Sequence, residues 1–202
     1  MNCTYTINKT KDTLLEFTKS LSGNSVNTIE INLAGKVFAS TNYGFCLLND
    51  KKSEWILQSI LAGINALKIN EKNEIYASIT NGNIYKSSDN GITWKHINPE
   101  RLIEGKNIIS LVESPDKKVF ACSEKNGLFE SSNYEYWNEV KVTNYLDTNF
   151  RKIIKSKSGY MYALCDSTKC YQSLNKGKVW YEFDLPKGIK IKTIFCDIND
   201  NF

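Results

Sequence analysis

The chain has 202 residues, 41% hydrophobic and 12% aromatic, a composition that builds a packed core and excludes general disorder. Its formal net charge of +4, with both signs interspersed, describes a solvated surface without a nucleic-acid footprint, and no apolar run reaches the roughly 20 residues of a membrane-spanning helix. Six cysteines without a repeated CxxC spacing, and a single histidine, His96, supply no zinc pattern.

Four tryptophans, Trp55, Trp94, Trp137 and Trp180, stand 39, 43 and 43 residues apart, so the chain is read as repeats. Residues 1–24 resemble the second half of a repeat in degraded form, with Tyr5, Leu14 and Phe17 at positions held later by Tyr171, Trp180 and Phe183. Residues 25–60 form the first complete repeat: "TIEINLAGKVFAS" predicts two strands about a tight turn, and "GFCLLNDKKSEWILQ" predicts two more. Residues 61–99 repeat this as "ALKINEKNEIYAS" and "NIYKSSDNGITWKHI", residues 100–142 as "SLVESPDKKVFAC" and "GLFESSNYEYWNEV". In residues 143–186 the same pair is "KIIKSKSGYMYAL" and "KCYQSLNKGKVWYEF". Phe38, Tyr76, Phe120 and Tyr162 share one repeat position, and Ala39, Ala77, Ala121 and Ala163 the next. Residues 187–202 restart a unit, with Phe202 at the position of Val37.

Each repeat is a four-stranded antiparallel meander, and the predicted fold is all-β: one β-propeller domain of four full blades and a partial fifth over residues 1–202. Complementary head and tail are consistent with a closed five-bladed ring. An end inside a strand is consistent with part of a larger propeller, whose open faces would self-associate. WD40 and kelch blades are disfavoured, because the chain has no Trp-Asp and no Gly-Gly pair. Cys122 and Cys165 are assigned to the position of Ser40 and Ser78, Cys46 to that of Tyr85, and Cys170 to that of Phe45. All are expected as buried, reduced strand residues, with a local Cys165–Cys170 disulfide as the alternative.

The stretch "SSDNGITW" reads Ser87-x-Asp89-x-Gly91-x-Thr93-Trp94 and resembles the Asp-box, or bacterial neuraminidase repeat, of sialidase-like propellers. "SLNKGKVW" repeats it with Ser173, Asn175, Gly177 and Trp180; "SSNYEYW" keeps Ser131, Asn133 and Trp137, is one residue shorter and lacks the glycine. The Asp or Asn can accept backbone N–H bonds within a turn, Gly permits positive φ, and Trp packs between blades. The resemblance implies a structural turn between third and fourth strands, away from the ligand face.

The connections from strand two to three and from strand four to one share the other face. The ligand-binding candidates there are Asn42, Tyr43, Asn81, Arg101, Asn126, Tyr145, Arg151 and Asp166. Sialidase chemistry, as the resemblance describes it, uses three arginines, and this chain has only Arg101 and Arg151. A glycoside hydrolase needs two facing carboxylates, for which Asp147 and Asp166 are the candidates by loop position. His96 has no Ser or Cys partner motif, and the scattered glycines form no phosphate loop. The lysines at 176, 178, 187, 190 and 192 read as a solvated strand edge. The expected function is a non-catalytic binding or scaffold module presenting loops to a protein or glycan, resembling sortilin-type and photosystem-assembly-factor propellers. The alternative is a fragment of a carbohydrate-active propeller enzyme. No catalytic residue, metal, cofactor or nucleic-acid partner is expected. The missing leader after Met1 favours the cytoplasm, although family members are often exported.

Overall fold

The computed structural model describes residues 6–9, 15–18, 25–49, 54–98, 103, 105–142, 149–165, 169–183, 185, 188 and 191–197. These residues contain eighteen strands and no α-helix. In chain order they are β1 (Thr6–Lys9), β2 (Leu15–Thr18), β3 (Val26–Ile31), β4 (Val37–Thr41), β5 (Gly44–Asn49), β6 (Glu54–Ser59), β7 (Ile64–Ile69), β8 (Ile75–Ile79) and β9 (Ile84–Ser87). They continue with β10 (Lys95–His96), β11 (Ile108–Glu113), β12 (Val119–Ser123), β13 (Gly127–Ser131), β14 (Asn138–Val140), β15 (Phe150–Lys155), β16 (Met161–Cys165), β17 (Lys169–Ser173) and β18 (Tyr181–Phe183).

Four antiparallel meanders result: β3 to β6, β7 to β10, β11 to β14 and β15 to β18, called sheets 1 to 4 below. Sheet 1 is extended to six strands by the β1–β2 hairpin, which joins at the β6 edge with Thr6 opposite Glu54. Within the hairpin Thr6 pairs with Thr18 and Lys9 with Leu15. Residues 191–197 carry no strand. Tyr5, Leu14 and Phe202 lie outside the described residues. The chain divides into two compact units, one of residues 1–79 and 85–96, the other of residues 80–84 and 97–202.

The tight turn between first and second strands is built the same way four times. A backbone pair closes residues i and i+4 at Asn32/Lys36, Asn70/Glu74, Ser114/Lys118 and Ser156/Tyr160. The fourth residue of each turn is left-handed: Gly35, Asn73, Lys117 and Gly159. Asn32 Oδ1 accepts from the Ala34 and Lys36 N–H groups, and Asn70 Oδ1 from those of Lys72 and Glu74. Such local side-chain bonds fix hairpin register without distant help.

A second recurring device is a bulge near the start of each first strand. Register shifts fall between Val26 and Thr28, Ile64 and Ala66, Ile108 and Ser110, and Phe150 and Lys152. The extra residue bends each first strand at the end where the second strand leaves for the third.

In the first unit, Phe38 and Phe45 of sheet 1 pack with Ile64, Leu67, Ile69, Ile75 and Ala77 of sheet 2. In the second unit, Phe120, Cys122 and Leu128 of sheet 3 pack with Phe150, Ile153, Met161, Ala163 and Trp180 of sheet 4. Each such large side chain contributes roughly 1.5–3 kcal/mol on burial, so these layers dominate the stability of each unit.

One sequence assignment is corrected by the register. Cys122 lies opposite Leu128 as Ser40 lies opposite Phe45, but the equivalent residue opposite Cys170 is Leu164, not Cys165. Cys165 is one residue further along, and successive strand residues face opposite ways. Cys122 and Cys165 consequently enter the same layer from opposite sheets. Cys46, Cys122, Cys165 and Cys170 are buried and outside any disulfide, so no Cys165–Cys170 bridge forms. His96 is an exposed residue of β10, with its ring 5.3 Å from that of Tyr85.

Candidate functional site

The 87–94 turn joins β9 to β10 and satisfies its own polar groups. Ser87 Oγ donates to Asp89 Oδ1 (2.7 Å) and accepts from the Gly91 N–H (2.9 Å). Asp89 Oδ1 accepts from the Thr93 N–H (2.9 Å), and the Thr93 hydroxyl donates to Asp89 Oδ2. Trp94 Nε1–H reaches Gly91 O (3.0 Å) and Ser59 Oγ (2.9 Å). The 173–180 turn reproduces the pattern: Gly177 N–H to Ser173 Oγ, Val179 N–H to Asn175 Oδ1, and Trp180 Nε1–H to Gly177 O, each at 2.9 Å. In the shorter 131–137 turn Tyr134 takes the left-handed place of glycine at φ 65°. Its N–H bonds Ser131 Oγ (2.8 Å), Asn133 Oδ1 accepts from the Tyr136 N–H (3.1 Å), and Trp137 Nε1–H reaches Tyr134 O (3.0 Å). Trp55 differs: it lies inside β6 and packs on Ala39 and Cys46 of its own sheet.

The perturbed carboxylates belong to this turn-bearing end of the sheets. The Thr93 side-chain hydrogen bond, helped by the Thr93 N–H and Ser87, holds Asp89 down at about 2. Bonding to Lys86 lowers Glu74, and bonding to Ser114 lowers Asp116. These groups stay ionised, the opposite of what a general acid needs.

At the bulged end of the sheets, the candidate residues divide by unit. In the first unit Asn42 Oδ1 accepts from the Ser25 N–H (3.2 Å), and the Asn42 N–H returns a bond to Ser25 O. This fastens the β4–β5 connection to the start of β3. Thr41 Oγ1 accepts from the Tyr43 N–H, and Tyr43 is 57% exposed at the loop tip. Asn27, the residue at the bulge, donates from Nδ2 to Ile64 O, which also accepts from Ser40 Oγ.

In the second unit Asn81 is exposed, and its carbonyl accepts from the Gly105 N–H (2.7 Å). Buried Asn98 acts as a clasp: Oδ1 accepts from the Ile84 N–H and Nδ2 donates to Gly82 O (3.0 Å). A Cβ at Gly82 would stand 1.8 Å from Ile103 O, so the connection closes only on glycine. Asn107 Nδ2 donates to Glu124 Oε2, and exposed Asn126 Oδ1 accepts from Ser123 Oγ. Arg151 occupies the bulge of β15 and is exposed. Asn81, Asn126 and Arg151 thus stand on three separate segments. Arg101, Tyr145, Asp147 and Asp166 lie outside the described residues. Asn27, Asn98 and Asn107 were not marked by any spacing in the sequence, because each bonds a group that folding alone brings near, backbone for Asn27 and Asn98 and the Glu124 carboxylate for Asn107.

Among the described residues no group of three His, Cys, Asp or Glu side chains is placed to hold a metal ion. No described helix is long and apolar enough to cross a membrane. Among the described residues, the candidate positions offer amides, hydroxyls and the Tyr43 phenol in the first unit, and amides and the Arg151 guanidinium in the second, groups that recognise by hydrogen bonding and stacking.

No protein-family model matches the chain, and no curated protein matches it. Solved structures do. Virginiamycin B lyase from Staphylococcus aureus is similar with a TM-score of 0.67 at 15% identity, over 92% of this chain and 71% of that one. A xyloglucanase from Xanthomonas campestris gives 0.63 at 17% identity, over 83% of this chain and 32% of that one. YCF48 from Cyanidioschyzon merolae gives 0.64 at 9% identity, over 84% of this chain and 59% of that one. These neighbours are β-propellers, and the chain has a propeller fold of about four blades. At such identities the likeness establishes fold alone.

Proposed function

We propose that the chain is a non-catalytic binding or scaffold module that presents the bulged end of its sheets to a protein or glycan. The observation that carries this reading is that the connections there are clasped by side-chain amides, Asn42 to Ser25 and Asn98 to Gly82 and Ile84. Clasped loops lose little conformational entropy on binding, which favours recognition without rearrangement. In the first unit Tyr43 then supplies the contact, and in the second unit Asn81, Asn126 and Arg151 do, with Arg101, Tyr145 and Asp166 as further candidates. Tyr43 offers the flat aromatic face that sugars and peptides both stack on. The turns at 87–94, 131–137 and 173–180 are read as Asp-box repeats of the sialidase-like type, with a structural role supported by their internally closed hydrogen bonds.

A second reading, a fragment of a carbohydrate-active enzyme, is favoured by the likeness to a xyloglucanase of which this chain spans 32%. A glycan array probed with the full chain and with Tyr43→Ala, beside a reducing-sugar assay on xyloglucan, separates the two. Binding that Tyr43→Ala removes, without sugar release, supports the module. Release of reducing ends would sink it in favour of the enzyme.

A further inference from the structure

In both units a box tryptophan has a seat on the face of a neighbouring sheet. Trp94 of sheet 2 sits edge-on to Phe45 at 5.1 Å and bonds Ser59, beside Phe38, all of sheet 1. Phe45 and Ser59 are register partners. Trp180 of sheet 4 sits edge-on to Phe120 at 6.2 Å, in the cluster that includes Leu128 and Val140, all of sheet 3. Leu128 and Val140 are again register partners. The seat is therefore a positional feature: the aromatic of the second strand, plus one register pair from the third and fourth strands.

Sheet 4 carries the same three positions as Tyr162, Cys170 and Phe183, with Cys170 paired to Phe183. These three line a cavity of about 350 Å³ together with Ile191, Thr193 and Ile194. Its size lies at the lower end of the roughly 300–1,000 Å³ of small-molecule sites. Cys170 in place of Phe45 or Leu128 deepens the seat, and the Tyr162 and Phe183 rings stand edge to face at 5.9 Å. We infer that this cavity is a third tryptophan seat, and that its occupant is the indole of a tryptophan presented by a partner polypeptide. The two filled seats show which group the position accepts. The lining is uncharged and largely apolar, which suits a neutral aromatic ring.

The test is fluorine NMR of 5-fluoroindole and of N-acetyl-5-fluorotryptophanamide with the full chain. Both probes are expected to broaden, and an N-acetyl-leucinamide competitor is expected to have no effect. Cys170→Leu, which installs the residue that the filled seat of sheet 3 carries at position 128, should leave both probes bound. Thr193→Trp, at an exposed wall position, fills the cavity without touching the buried core and should abolish binding. If neither probe broadens at millimolar concentration, or both bind Thr193→Trp unchanged, the seat is overturned. Binding of 5-fluoroindole without the tryptophanamide would overturn the polypeptide occupant. Neither result bears on the Tyr43 loop face.

Discussion

Gly177 faces the ring of Phe120, and a Cβ added to the glycine would stand 2.2 Å from Phe120 Cζ. Gly91 faces Phe45 in the same way, again at 2.2 Å. Both glycines are left-handed, at φ 85° and 86°, so backbone and packing demand the same residue. Gly91→Ala and Gly177→Ala should each cost about 2 to 4 kcal/mol, from the left-handed backbone of an L residue and from overpacking. Urea melts measure this. Phe45→Leu in the Gly91→Ala background should recover part of the loss, since it removes the obstructing ring. Recovery of nothing would mean that the backbone alone sets the cost.

Asp89 gives a pH signature. Its folded pKa is held at about 2, by the Thr93 hydroxyl first, against an ordinary value of 3.8. A depressed carboxylate contributes stability that is present above 3.8 and is lost as pH falls towards 2. Asp89→Asn keeps an acceptor for the Thr93 N–H, as Asn175 does for Val179. The variant should therefore lack the Asp89 share of the acid destabilisation in that window while keeping the turn. Parallel acid titrations of the melting temperature decide it; identical slopes for the two proteins would refute the assignment.

Ser156 is the imperfect member of the four matching turns. Its buried hydroxyl has no hydrogen-bond partner among the described residues, whereas Asn32 and Asn70 each accept two backbone N–H groups from the same position. Ser156→Asn should supply those bonds and stabilise the chain by about 1 kcal/mol. Asn70→Ala should cost about 1 to 2 kcal/mol by the same logic. A lower melting point for Ser156→Asn would show that the site has no room for the amide.

The buried thiols should be chemically silent. Burial pushes Cys122 up to about 12 and Cys170 up to about 11, so both remain protonated at pH 8. Iodoacetamide labelling read by mass spectrometry should modify neither in the native chain and both in urea. Native labelling of Cys122 would contradict the burial of its layer.

The repeat, the four strands per sheet, the tight turns and the turns at 87–94, 131–137 and 173–180 were legible in the sequence. Their hydrogen bonds run between residues two to four apart, as from Gly91 to Ser87 or from Lys36 to Asn32, so the pattern and the geometry are the same local fact. Register was less legible. Cys165 was assigned a rung that belongs to Leu164, because a one-residue slip changes little in a composition pattern yet reverses the face in a pleated strand. Only the tertiary structure decided which aromatic lies beneath Gly91 and Gly177, the third-strand Phe45 and the second-strand Phe120 respectively. It also decided that Asn98 clasps Gly82 and Ile84, and that the β1–β2 hairpin joins β6. Those relationships join residues far apart in the chain, and packing rather than local propensity selects them.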